Sequence, residues 1–134
     1  MQVGPAARRR GFGVAAILAT LVLAAAPAQA ALQLIMFEQP GCPWCARWDA
    51  AIAPIYPKTT EGAEAPLTRM DIHAALPADI KLARAPQFTP TFVLLQDGSE
   101  VGRIEGYPGE DFFWGMLDGL LARAVPPLPT GPKT

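Results

Sequence analysis

The chain is short of the residues from which most active sites are built. Its 134 residues include two cysteines and one histidine. The sole serine, Ser99, stands in a turn sequence with no base beside it, which leaves a serine hydrolase without its parts. There is no glycine-rich phosphate loop and no internal repeat. A basic stripe is also missing from a chain of net charge −1, so nucleic acid and anionic membrane surfaces are poor partners. The longest apolar run, Val14 to Ala26, falls below the roughly 20 residues that cross a bilayer.

The flanks of that run explain it. Arg8, Arg9 and Arg10 precede it, and Ala28-Gln29-Ala30 follows with small residues in the A-x-A pattern. This predicts a secretory signal peptide over residues 1–30, cleaved after Ala30. Arg9-Arg10-Gly11-Phe12 partly resembles a twin-arginine signal, so the Sec and Tat routes both stay open. Cleavage removes three arginines and no acid, leaving 104 residues of net charge −4. That length suits one small domain, expected over residues 31–124. Residues 125–134, with four prolines, read as an unpacked tail. The mature product is expected outside the cytoplasm, where disulfides persist, with no stable insertion in a membrane.

Hydrophobic patterning predicts an α/β domain in the order β-α-β-(α)-β-β-α. Leu32–Phe37 reads as a buried strand. Pro40 and Gly41 end it, and a helix starts at Cys42 with Pro43 in the first helical position. Trp48, Ile52 and Ile55 form its apolar stripe, and Pro54 ends it. Residues 59–66 read as a loop and Leu67–Ile72 as a second strand, and a short helix is expected within Ala74–Ala85. Thr91–Gln96 is a strong strand, followed by the hairpin signal Asp97-Gly98 and an alternating strand over Glu100–Gly106. Glu110–Ala124 reads as a closing helix with acids at its positive end and Phe113, Leu117, Leu120 and Leu121 on one face. An open mixed sheet with helices on both faces accommodates this order.

Both cysteines fall in Gly41-Cys42-Pro43-Trp44-Cys45, at the change from strand to helix. Zinc needs about four ligands, and His73 is distant in sequence. Covalent haem needs a histidine after the second cysteine, where Ala46 stands. A structural disulfide would close a loop too small to remove much unfolded-chain entropy. Redox chemistry suits the setting best. At a helix N-cap, Cys42 faces unpaired N–H groups and the positive end of the dipole, which favour a thiolate. Cys45 lies one turn on, close enough to attack a mixed disulfide on Cys42. A structural disulfide and metal handling stay open as alternatives.

With the strand LQLIMF, the CPWC site, RMDI and Phe88-Thr89-Pro90-Thr91-Phe92-Val93-Leu94-Leu95-Gln96-Asp97-Gly98, the chain resembles the thioredoxin-fold family over Leu32 to about Ala122. The resemblance implies a cis peptide bond at Pro90 beside the dithiol, with the backbone of Thr89 free to pair with an extended partner. Trp44, Thr89 and Pro90 are the implied substrate-binding residues. More narrowly, FEQPGCPWCARWDAAIAPIYPKT and RIEGYPGEDFFWGML resemble the periplasmic thioredoxins of bacterial sulfur-oxidation (Sox) operons, the SoxS type. This implies a periplasmic reductant, without cofactor, that maintains or reactivates the sulfur-carrying Sox protein and draws electrons from a membrane dithiol transporter. A general periplasmic oxidase, an isomerase, a cytochrome-maturation reductant and a copper(I) metallochaperone are the alternatives.

The sequence departs from cytoplasmic thioredoxins in its Pro-Trp dipeptide. It also has Met36 where a buried acid is expected six residues before the first cysteine. Glu38, on the same strand face, is a candidate proton acceptor for Cys45; a solvent-exposed strand-end glutamate is the alternative reading. Trp44 is expected to be exposed and Trp48 buried, with Phe112 or Trp114 at a contact surface. His73 reads as an ordinary strand-end residue.

Overall fold

The computed structural model describes residues 31–124, together with Met1 and Gly4. The leader and its cleavage site, and the tail over residues 125–134, lie outside the described residues. Four strands form one mixed sheet in the order β2-β1-β3-β4: β1 (Leu32–Glu38), β2 (Leu67–Asp71), β3 (Thr91–Gln96) and β4 (Ser99–Glu105). The helices are α1 (Pro43–Ala51), α2 (Thr60–Glu64) and α3 (Glu110–Ala124), with a 3-10 turn at Tyr56–Lys58. Strand β1 runs parallel to β2 and antiparallel to β3, and β3 and β4 form an antiparallel hairpin.

The central strands are apolar on both sides because both sides are covered. Leu34 and Met36 of β1, with Phe92 and Leu94 of β3, point into the larger core, where they meet Trp48 and Ile52 after α1's first turn and Phe113, Leu117, Leu120 and Leu121 of α3. Phe113 stands among the rings of Phe92, Trp48 and Trp114, with centroids 4.9, 5.7 and 5.3 Å away. On the other face Ile35, Phe37, Val93 and Leu95 are covered by Met70, Ile72, Ile80 and Leu82. The Asp97-Gly98 turn has both residues at positive φ, 50° and 81°, as a two-residue hairpin of matching twist requires.

Three local expectations are corrected. No helix forms within Ala74–Ala85. After a single turn at Pro77–Ile80, the backbone of Lys81 donates to Gly98 and accepts from Glu100, at 2.8 and 2.9 Å. Bonding to the start of β4 satisfies groups that a helix would otherwise pair internally, so an irregular segment, not a helix, covers the second face. Residues 59–66 hold a short helix, α2, which Thr59 caps by accepting the Gly62 N–H at 3.0 Å. Ile55 is exposed, because α1 stops at Ala51 and the turns ahead of Pro54 and Pro57 rotate it off the buried stripe.

No helix among the described residues is long and apolar enough to cross a membrane.

Candidate functional site

Gly41, at φ 75°, turns the chain between β1 and α1 in a backbone conformation that costs glycine little. Cys42 is the N-cap of α1, with extended backbone, and Pro43 is the first helical residue. The Cys42 sulfur accepts the Cys45 N–H at 3.1 Å. The two cysteines are joined in a disulfide, with Cα atoms 5.3 Å apart. Their exposure differs: Cys42 is half-buried, whereas Cys45 is 5% exposed, inside the larger core. Trp44 projects into solvent, with the Arg47 guanidinium 4.4 Å from its ring centroid.

The second wall comes from far along the chain. Phe37 pairs with Thr91 across β1 and β3, so the segment before β3 emerges at the end of the sheet that carries Glu38 to Cys45. The Gln39 amide donates to Thr89 Oγ1 at 3.1 Å and ties the two loops together. The Thr89–Pro90 peptide is cis. The Pro90 carbonyl accepts the Gly106 N–H at 2.7 Å, and Thr91 Oγ1 donates to the Phe88 carbonyl at 2.6 Å. Phe88 itself is exposed.

Beside the disulfide is an open cavity of about 470 Å³, lined by Glu38, Gln39, Gly41, Cys42, Pro43, Cys45, Ala46 and Asp49. Glu38 does lie here. Parallel pairing of β1 with β2 brings Arg69 to it, and the guanidinium holds both carboxylate oxygens, Oε1 from Nε at 3.0 Å and Oε2 from Nη2. Asp49 Oδ1 is 2.7 Å from Arg69 Nη2 on the other side. Trp48 supplies a ring 6.0 Å from the same guanidinium. Hydrogen bonding to Glu38, reinforced by Asp49, outweighs partial burial and raises the pKa of Arg69 above its ordinary value, so it is a permanent cation.

Asp49 and Arg69 were missed as site residues in the sequence. The spacing Cys45 to Asp49, four residues on a helix, carried a signal for the first; nothing local identifies the second. His73 is exposed in the turn after β2, its N–H donating to Asp71 Oδ1 at 2.7 Å, and it does not line the dithiol cavity. Trp48 is fully buried and Phe112 exposed, while Trp114 stacks on Tyr56 with centroids 6.1 Å apart. Among the described residues, no three His, Cys, Asp or Glu side chains gather as metal ligands.

The thioredoxin-like domain model matches residues 20–120. The crystal structure of the periplasmic thioredoxin SoxS from Paracoccus pantotrophus, in its reduced form, is 58% identical, with a TM-score of 0.69 over 70% of this chain and 99% of that one. A thioredoxin of Malassezia sympodialis, Mala s 13, is 19% identical, with a TM-score of 0.46 over 66% of this chain and 74% of that one. No curated protein matches. A half-buried cysteine at a helix start, disulfide-bonded to a buried one beside a mixed sheet, is thus found in a chain that belongs to the thioredoxin-like family, and the protein is a thiol–disulfide oxidoreductase of that family.

Proposed function

We propose that the protein is an exported reductant of the periplasm, delivered by a cleaved leader over residues 1–30, that keeps the sulfur-carrier protein of a Sox system in its reduced state. The observation that carries the redox roles is the asymmetry of the two sulfurs: Cys42 at the helix N-cap and half-buried, Cys45 one turn on and buried. The likeness to a periplasmic thioredoxin SoxS across 99% of that chain supports the location and the system.

Cys42, as thiolate, attacks one sulfur of the partner disulfide. A mixed disulfide forms and the partner's other sulfur leaves with the electron pair. Cys45 then loses its proton and attacks Cys42. The Cys42–Cys45 bond forms, the bond to the partner breaks, and the second partner thiolate is released. The partner gains two electrons and the enzyme loses two; a membrane dithiol donor restores it. The N–H groups and dipole at the start of α1 favour Cys42 both as attacking thiolate and as leaving group. Trp44 and Thr89-Pro90 form the walls between which an extended partner segment lies. Glu38 stands in the cavity as a candidate acceptor for the Cys45 proton.

Two measurements test this reading. The Cys45→Ser variant, exposed to periplasmic proteins, is expected to stall as a mixed disulfide with the sulfur carrier, and capture of no disulfide partner overturns the assignment. The reduction potential is expected on the thioredoxin side, near −270 to −200 mV; a value near about −120 mV, that of a strong oxidant, refutes the reductant role.

A further inference from the structure

The acid nearest to Cys45 along its own helix face is Asp49, not Glu38. Residues four apart on a helix are neighbours, with Cβ atoms roughly 5–6 Å apart, and Asp49 and Cys45 line one cavity. The two carboxylates there are engaged differently. Both oxygens of Glu38 accept hydrogen bonds from Arg69, so protonating Glu38 means giving up a charge-assisted bond. Asp49 meets Arg69 through Oδ1 at 2.7 Å, sharing the Nη2 that also serves Glu38 Oε2. Glu38 has a second bond from Nε as well, whereas the contact of Asp49 is only a shared one. Its side chain is 42% exposed, so a proton that it accepts can pass to solvent.

We propose that Asp49 is the proton acceptor for Cys45 in the resolving step, and that Arg69, clamped to Glu38 and lying against Trp48, positions it. The inference rests on the redox reading above. The Cys45 S–H gives its proton to the Asp49 carboxylate, directly or through one water of the cavity. The thiolate attacks Cys42 as the partner sulfur leaves, and Asp49 releases the proton to solvent. The charged and titratable groups around this carboxylate are Arg69 of β2, Glu38 of β1, and Cys42 and Cys45 of α1. Asp71 lies beyond Glu38, lining the adjoining pocket.

Reduced full-length protein mixed with dithiobis(nitrobenzoate) separates the two steps, because attack by Cys42 and resolution by Cys45 each release one coloured thiolate. In Asp49→Asn the second phase is expected to slow about tenfold or more at pH 6–7, within the usual reach of general-base catalysis, while the first phase stays within about twofold. The deficit should narrow as pH rises and hydroxide takes over removal of the Cys45 proton, and Asp49→Glu should restore much of the rate. Glu38→Gln should slow the second phase less than Asp49→Asn does. A second phase unchanged in Asp49→Asn, or slowed equally at every pH, overturns the proposal, as does Glu38→Gln producing the larger, pH-dependent loss. Absence of the first phase in unaltered protein would instead refute the redox reading.

Discussion

Replacing Gly62 with alanine pits local propensity against packing. In a helix interior this change is ordinarily favourable by up to about 1 kcal/mol. Here a Cβ would stand 1.9 Å from the Tyr56 carbonyl oxygen, 2.8 Å from its carbon and 3.2 Å from Pro57 Cα. All three are backbone atoms, and the first is about 1.5 Å inside ordinary contact. That carbonyl already accepts the Thr59 N–H at 3.1 Å and hydroxyl at 2.8 Å. Helix α2 cannot back away without straining the Thr59 cap and the Tyr56 hydroxyl bond to Ala65, 2.8 Å long. Overpacking costs about 1–3 kcal/mol, and a lost cap costs about 1 kcal/mol. After the propensity gain, the net is a loss of about 1–3 kcal/mol. For a domain of this size that lowers Tm by roughly 5–20 °C. Urea denaturation should show it as a lower midpoint with unchanged slope. Gly119→Ala is the control: with nothing within 4 Å of its Cβ, on the exposed face of α3, it should gain up to about 1 kcal/mol. The reasoning is refuted if Gly62→Ala proves as stable as the parent.

Glu100 and Arg103 are each 7% exposed and paired at 2.7 Å, and hydrogen bonding to Arg103 holds the Glu100 carboxyl below its usual range despite opposing burial. A lowered folded-state pKa contributes stability that is complete above about pH 4.3 and lost as pH falls through the folded value. Glu100→Gln should cost about 1–3 kcal/mol at pH 7, and the difference from the parent in urea midpoints should shrink below about pH 4. Phe113→Ala removes the centre of the aromatic core and should cost about 3–5 kcal/mol by thermal unfolding; a loss below about 1.5 kcal/mol would show that the core refills the space. Trp44→Ala should change stability by less than about 0.5 kcal/mol, since the ring is exposed. It should nevertheless slow reduction of a protein disulfide more than that of dithiobis(nitrobenzoate), as stopped-flow traces would show.

The sequence alone determined whatever depends on neighbours a few residues apart. Continuous apolar runs marked β1 and β3, Asp97-Gly98 marked the hairpin, and the stripe from Phe113 to Leu121 marked α3 with both of its ends. Cys42 before Pro43 announced a capped helix and hence which sulfur faces the helix dipole. Spacing and caps act within one or two turns, so they can be read from the chain directly. Tertiary structure decided the rest. Residues 74–85 lack a helix because Lys81 finds its backbone partners on β4. Five residues form α2 because Gly62 can lie against the Tyr56 carbonyl. Glu38, expected either as a proton acceptor for Cys45 or as an exposed strand-end acid, belongs to an ion cluster because parallel pairing carries Arg69 from β2 to it and to Asp49. These contacts join residues 6 to 31 positions apart, and their free energy depends on register and on which backbone groups are left to pair, quantities that no local window of sequence contains.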